Sequence, residues 1–138
     1  MHLASCLQRL PHEQRWQIAE ALLTHEEDAD DENIPLLVWY AIEPLVIADR
    51  DRFIALAGKT SLPIVANHIA RRAASGADLA VSLNALVKLL STTKGEVQSE
   101  FLSGIITGLE GRRTVSMRFC FGERRCGMFL VVYHLSRT

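Results

Sequence analysis

The strongest constraint on this chain lies in residues 33–53, NIPLLVWYAIEPLVIADRDRF. Across residues 36–47 the sequence is apolar on almost every side of a helix, with Glu43 and Pro44 set inside the run. A helix that is apolar all round predicts enclosure by neighbours rather than a place on a surface. Asn33 is positioned to cap it, and Pro35 suits a first turn, where its missing N–H would have had no partner. Pro44 removes the bond to the Tyr40 carbonyl and predicts a kink, costing about 3 kcal/mol where nothing compensates. The following DRDRFIALAG reads as a short helical extension ending at Gly58 in a left-handed terminus.

The sequence through residue 111 keeps this texture. Leu3, Leu7 and Leu10 recur at spacings of four and three, a stripe that reads as part of something longer, and Pro11 ends it. HEQRWQIAEALLTH puts Trp16, Ala19 and Leu23 on one face, with Ile18 and Leu22 beside them. EEDADDEN is a loop. Ser61 is placed to cap LPIVANHIARRAA, with Leu62, Val65, Ala66 and Ile69 inward. GADLAVSLNALVKLL carries Leu79, Leu83, Leu86, Val87 and Leu90 on one stripe, and GEVQSEFLSGIITGLEG carries Val97, Phe101 and Ile105, flanked by Leu102, Ile106 and Leu109. Two helices per ~40 residues, one of them kinked by proline, is a HEAT-like texture. The expected fold is all-α, with antiparallel helix pairs forming an α-solenoid fragment over residues 1–113. Residues 114–138 change character, TVSMRFCFGERRCGMFLVVYHLSRT, and predict either a hairpin of 115–121 with 128–134 or a disordered tail.

The totals exclude several classes. The chain has 138 residues, 49% of them apolar, enough for one modest domain or a piece of a larger one. A net charge of −1 argues against gripping a phosphate backbone as the main work. Three cysteines, Cys6, Cys120 and Cys126, are too few for a disulfide scaffold, and the odd count leaves at least one free. The opening MHLASCLQRLPHEQRW lacks a basic segment followed by a sustained apolar run, so no signal peptide is expected. No apolar stretch reaches the ~18 residues a membrane-spanning helix needs.

Few polar residues suggest chemistry. Asp28, Asp30 and Glu32 are spaced like the opening of a calcium loop, but no glycine follows them where such a loop needs one. Together with Asp31 they read as a solvated loop favouring the start of the next helix. Glu43, alone in an apolar run, predicts a partly buried carboxylate with a partner, and Arg71 and Arg72 are its natural candidates. Trp39 and Tyr40 read as core with their polar atoms at its edge, the alternative being a ligand-stacking wall. His68 with Arg71 and Arg72 offers an anion site or simply satisfied side chains. Cys120, Cys126 and His134 give three zinc-ligand types without a fourth. The two cysteines form a cross-strand disulfide if the chain is exported and free thiols otherwise. Arg112, Arg113, Arg118, Arg124 and Arg125 make the tail basic without matching a nucleic-acid module.

One resemblance narrows the role. AEALLTHEEDADDENIPLLVWYAIEPL followed by SLPIVANHIARR resembles the helical middle of the large PVC-type haem-binding proteins, often labelled membrane-bound dehydrogenases, over about residues 10 to 113. That family pairs a propeller-like region with HEAT-type repeats and a haem segment carrying C-x-x-C-H. No C-x-x-C-H occurs in this sequence, so haem attachment is not carried over. The resemblance fades after GLEGRR, where a shifted frame, a truncated reading frame or true divergence each explains the tail. It implies an exported parent and a scaffold segment of a redox-associated protein. The expectation is a non-catalytic helical segment acting through protein–protein contact, including self-association, with no cofactor, no metal and no membrane span. Its alternatives are a docking module of a haem-dependent dehydrogenase and a helical-repeat nucleic-acid binder using the Arg-rich tail, the latter disfavoured by the net charge of −1. Asp30, Asp31, Trp39, Tyr40, Glu43, Arg71 and Arg72 form the expected polar and aromatic network.

Overall fold

The computed structural model describes residues 2–76, 79–110, 114–120 and 126–132. Its body is all-α, a bundle of helices around one apolar core. Helix α1 (His2–Leu7) ends before Pro11, and α2 (His12–Leu22) begins immediately after it. Leu7, Trp16, Ala19 and Leu23 are buried, as the stripe predicts, while the side chain of Leu3 lies outside the described set. Arg15 ties these elements together. Its Nε donates to the Leu10 carbonyl at 2.7 Å, Nη2 to Gln8 at 2.8 Å and Nη1 to Ala41 at 3.3 Å. Carbonyls left over at helix ends need such donors when the backbone cannot supply them.

A 3-10 turn, Glu26–Asp28, lies in the acidic loop ahead of α3 (Ile34–Ile42). The expected Asn33 cap is not made. Asp31 Oδ1 instead accepts from the backbone N–H groups of both Asn33 and Ile34 at 2.8 Å. These two bonds, Ile34 first, hold its carboxyl below the usual value. An acceptor reaching back from outside the helix satisfies the same orphan donors that a capping Asn33 would have served.

Pro44 breaks the run more sharply than a kink. Helix α3 stops at Ile42, α4 (Leu45–Ala48) is one turn long, and α5 (Arg50–Leu56) starts anew from an extended Asp49. Asp49 Oδ1 caps α5 by accepting from the Arg52 N–H at 2.9 Å. The expected extension is therefore a separate helix with its own cap. Gly58 does not take the left-handed conformation expected of it. Among the described residues the only positive φ is at Gly95, 64°. A side chain at Gly58 would put its Cβ 2.6 Å from Leu89 Cδ1, so the glycine there allows a close approach to that leucine.

Helix α6 (Pro63–Ala74) is not capped by Ser61. The Ser61 N–H crosses to the Leu23 carbonyl at 2.7 Å, and Thr60 Oγ1 accepts from the Leu62 N–H at 3.0 Å. Tertiary bonding has taken the residue that local propensity assigned to a cap. Helices α7 (Leu79–Leu90) and α8 (Gly95–Leu109) complete the body. Helix α6 packs most extensively on α8, with lesser contact to its chain neighbour α7. Two glycines one turn apart make that approach close. A Cβ at Gly104 would overlap the carbonyl oxygen of Asn67, and one at Gly108 would lie 2.7 Å from both the Arg71 oxygen and Ala74 Cβ. Asn67 Nδ2 donates to Glu100 Oε2 across the same seam at 2.9 Å.

The apolar side chains of α1 through α8 merge into one cluster, with Val38, Ile42, Phe53, Leu62, Ile69, Leu83 and Phe101 fully enclosed. Trp39 sits partly buried against it, its ring 6.3 Å from that of Phe53. The expectation of enclosure on all sides of the central run is corrected at two points. Tyr40 is 58% exposed and Ile47 85% exposed. Helices α1, α2 and α6 contact α3, and the break at Pro44 redirects α4, so part of the apolar circumference meets solvent. Apolar content alone specifies no side to be left uncovered.

Beyond the helices, β1 (Thr114–Cys120) and β2 (Cys126–Val132) pair antiparallel, from Thr114 opposite Val132 to Cys120 opposite Cys126. The expected hairpin is present, with both strands starting earlier than 115 and 128, and β1 runs beside α7. Arg112, Arg113, Phe121, Arg124, Arg125 and His134 lie outside the described residues, and with them the three-ligand zinc set and most of the basic tail.

Candidate functional site

The polar residues singled out from the sequence gather only in part, around the break between α3 and α4. Glu43 occupies the end of α3, where its backbone N–H closes the last turn on the Trp39 carbonyl at 2.9 Å. One side of the break faces the last turn of α6, and from there Arg72 Nε donates to Glu43 Oε1 at 2.7 Å. That is the length of a charge-assisted bond. Both side chains keep more than a third of their surface in water, 38% for Arg72 and 37% for Glu43. Solvent screening then limits the pair to roughly 0.5 kcal/mol. Glu43→Ala is expected to lower the Tm by about 2 °C in a thermal melt, and an unchanged Tm would show the carboxylate to be unpaired in solution.

Arg71 does not share the carboxylate. It is exposed, and its charge acts on His68. The ring of His68 lies against Trp39 of α3, centroids 5.2 Å apart and tilted by 36°. Its Nε2 is buried without a hydrogen-bond partner. Burial first, and Arg71 second, push its pKa below the ordinary 6.5. His68, Arg71 and Arg72 therefore do not converge on one anion site, because Arg72 turns to Glu43 and His68 to the tryptophan.

The sign of the histidine's effect follows from that shift. A base whose folded pKa is depressed binds protons more readily when unfolded, so its contribution is intact above 6.5 and is lost as the pH falls through that value. Between about pH 7.5 and about pH 5.5 the wild type should lose more thermal stability than His68→Gln. Parallel pH profiles for the two proteins would show that His68 titrates as it does in the unfolded chain.

A groove of about 310 Å³ opens beside the ion pair, lined by Val46, Ile47, Arg50, Arg72, Ala73 and Ser82 among others. Its wall joins apolar side chains of α4 to the two arginines and to Ser82 of α7, which is itself buried. Tyr40 is exposed rather than part of the core, while Trp39 is flanked by Phe53 and His68. Asp30 is exposed in the loop, and Asp31 serves α3 as a cap. Glu27 of the same loop is bonded to His25 at 2.9 Å. Among the described residues no three His, Cys, Asp or Glu side chains lie together as a metal site would need.

Comparison with protein-family models, with curated proteins and with solved structures finds no match to this chain. What the site can do has to come from its own geometry. A carboxylate held by a guanidinium across two helices is a clasp. Among the described residues no helix is long and apolar enough to cross a membrane.

Two clusters escaped the sequence reading. Arg52 lies over the Trp16 ring at 4.5 Å and also reaches Glu20 at 3.2 Å, which Lys59 joins at 3.3 Å. Burial pushes the Glu20 carboxyl up, but the bonds from Lys59 and Arg52 outweigh it and leave the pKa lowered. The spacing of Trp16 and Glu20, one helical turn, was the available signal. The second is the Gly104–Gly108 seam, whose signal was a pair of glycines four apart facing Ala70 and Ala74, also four apart.

Proposed function

We propose that this chain is a non-catalytic helical scaffold whose work is protein–protein contact, built from HEAT-like stacked helices. The observation that carries the reading is large apolar side chains left in water on helices whose other faces are enclosed: Tyr40, Ile47, Val81 and Ile106 are each more than half exposed. Where such side chains adjoin in one exposed patch they mark an interaction site. The clasp between Glu43 and Arg72 supports it too, since a carboxylate engaged by arginine serves position before chemistry. Near-neutral total charge favours a protein partner over a nucleic acid. The residues that resemble the helical middle of the PVC-type haem-binding proteins extend the proposal to a redox-associated assembly, in which this segment stacks on neighbouring repeats and holds no haem itself.

Sedimentation velocity tests the contact role. The wild type should associate as concentration rises, and charge placed at Ile47 and Ile106 (Ile47→Glu with Ile106→Glu) should return it to monomer without changing its Tm. A wild type that stays monomeric at every concentration, with the double variant indistinguishable from it, would remove the support that the exposed side chains give.

A further inference from the structure

We infer that the groove beside the Glu43–Arg72 clasp is a binding site for a short-chain aliphatic carboxylate, held by Ser82 and Arg72. Ser82 is the residue that points to a ligand. It lies within α7, only 2% exposed, and it lines the groove. A helical serine ordinarily donates to a carbonyl of the preceding turn, as Ser75 does to Arg72 at 3.0 Å and Ser91 to Lys88 at 2.7 Å. The Ser82 hydroxyl makes no such bond to any described residue. An enclosed hydroxyl without an acceptor is unfavourable, and few buried polar groups go without one. The groove is the direction from which an acceptor can reach it.

Arg72 sets the charge of the guest. Its Nε is engaged by Glu43 Oε1 at 2.7 Å, which leaves the paired Nη groups as donors in the plane that a carboxylate accepts two at a time. No bond to the guest is assigned to Arg50, which lines the groove with interactions of its own. Val46, Ile47 and Ala73 make the remainder of the wall hydrocarbon. That wall separates a carboxylate with a tail from inorganic phosphate. A phosphate dianion loses hydration against apolar side chains and gains nothing from them. An alkyl tail instead takes Ile47, 85% exposed, out of water. The volume of about 310 Å³ falls at the small end of ligand sites, which run from about 300 to about 1,000 Å³, and so suits a short chain. The site does not rest on the contact role proposed above, because a monomer carries the whole groove.

Calorimetric titration of the full chain with hexanoate at low salt tests the assignment, with hexanamide and inorganic phosphate as comparison ligands. Hexanoate should bind saturably with a Kd on the order of 1 mM. Hexanamide keeps the tail and lacks the charge, and should bind at least about tenfold more weakly. Ser82→Ala should weaken hexanoate about tenfold, and Arg72→Gln should abolish saturable binding. Glu43→Gln breaks the same clasp but leaves both donors, so it should bind hexanoate at least as well as the wild type. That variant separates a ligand contact of Arg72 from a loss of packing, and with the hexanamide comparison it decides the matter even where Ser82→Ala fails to fold. No saturable heat from hexanoate, equal affinity for hexanamide, tighter binding of phosphate, or a folded Ser82→Ala protein that binds like the wild type would each overturn the inference.

Discussion

Gly104→Ala should lower the Tm by about 10 °C, and Gly104→Leu should leave no cooperative transition in a thermal melt followed by circular dichroism. The reason is where the first added carbon would go. A Cβ at residue 104 overlaps the Asn67 carbonyl oxygen and lies 3.0 Å from Ala70 Cβ. The first of these is backbone of α6, which cannot swing aside as a side chain does. Accommodating one methyl therefore means moving α8 off α6, the most extensive helix pair in the structure. Overpacking of this kind typically costs 1–3 kcal/mol where side chains can yield, so about 3 kcal/mol is the expected loss against backbone. For a chain of this size that converts to the stated shift in Tm. Ser103→Ala, on the exposed side of the same helix, controls for helix propensity and should change the Tm by no more than about 2 °C. If Gly104→Ala melts with the wild type, α8 does not lie at this depth against α6.

Phe53→Ala should cost about 4 kcal/mol, seen as a fall in the urea midpoint with an unchanged slope. Phe53 is fully enclosed, and it is the ring of α5 on which Trp39 of α3 rests, 6.3 Å between centroids. Removing it takes away buried aromatic area and leaves a cavity where α3 and α5 meet. Phe53→Leu, which refills most of that volume, should recover more than half of the loss. A cost below about 1 kcal/mol for the alanine variant would mean that the interior collapses freely around the gap, contrary to a core fixed from several directions.

How far the sequence carried this picture differs from residue to residue. The all-α body, the helices on either side of Pro11, and the buried stripe of Trp16, Ala19 and Leu23 were all legible, because each rests on local chemistry or a single period, whereas Pro44 was legible as a kink and not as the break it makes. Glu43 was legible as a residue in need of a partner, and α6 supplied one of the two arginines expected. Which arginine was not legible, since Arg71 and Arg72 are adjacent and differ only in the side of α6 they occupy. The caps went elsewhere for a related reason. Asn33 and Ser61 have the right chemistry, but Asp31 reaches the start of α3 from the loop, and the Ser61 backbone is taken by Leu23. The exposure of Tyr40 and Ile47 was hidden because an apolar run shows how much surface needs covering and not which part finds a neighbour. The glycine seam was written plainly enough at residues 104 and 108, yet its meaning depends on α6 presenting Asn67 and Arg71 backbone opposite.

The clasp between α3 and α6 is the point on which a structural rather than chemical role for Glu43 turns, and a double-mutant cycle of Glu43→Gln with Arg72→Gln measures it. Each single variant should destabilise the protein slightly, and the pair should show a favourable coupling of about 0.5 kcal/mol in urea unfolding at low salt, shrinking as salt is added. A Glu43→Gln protein more stable than the wild type, with no coupling to Arg72, would contradict it. That outcome marks a carboxylate retained at a cost to the fold, as functional sites retain theirs.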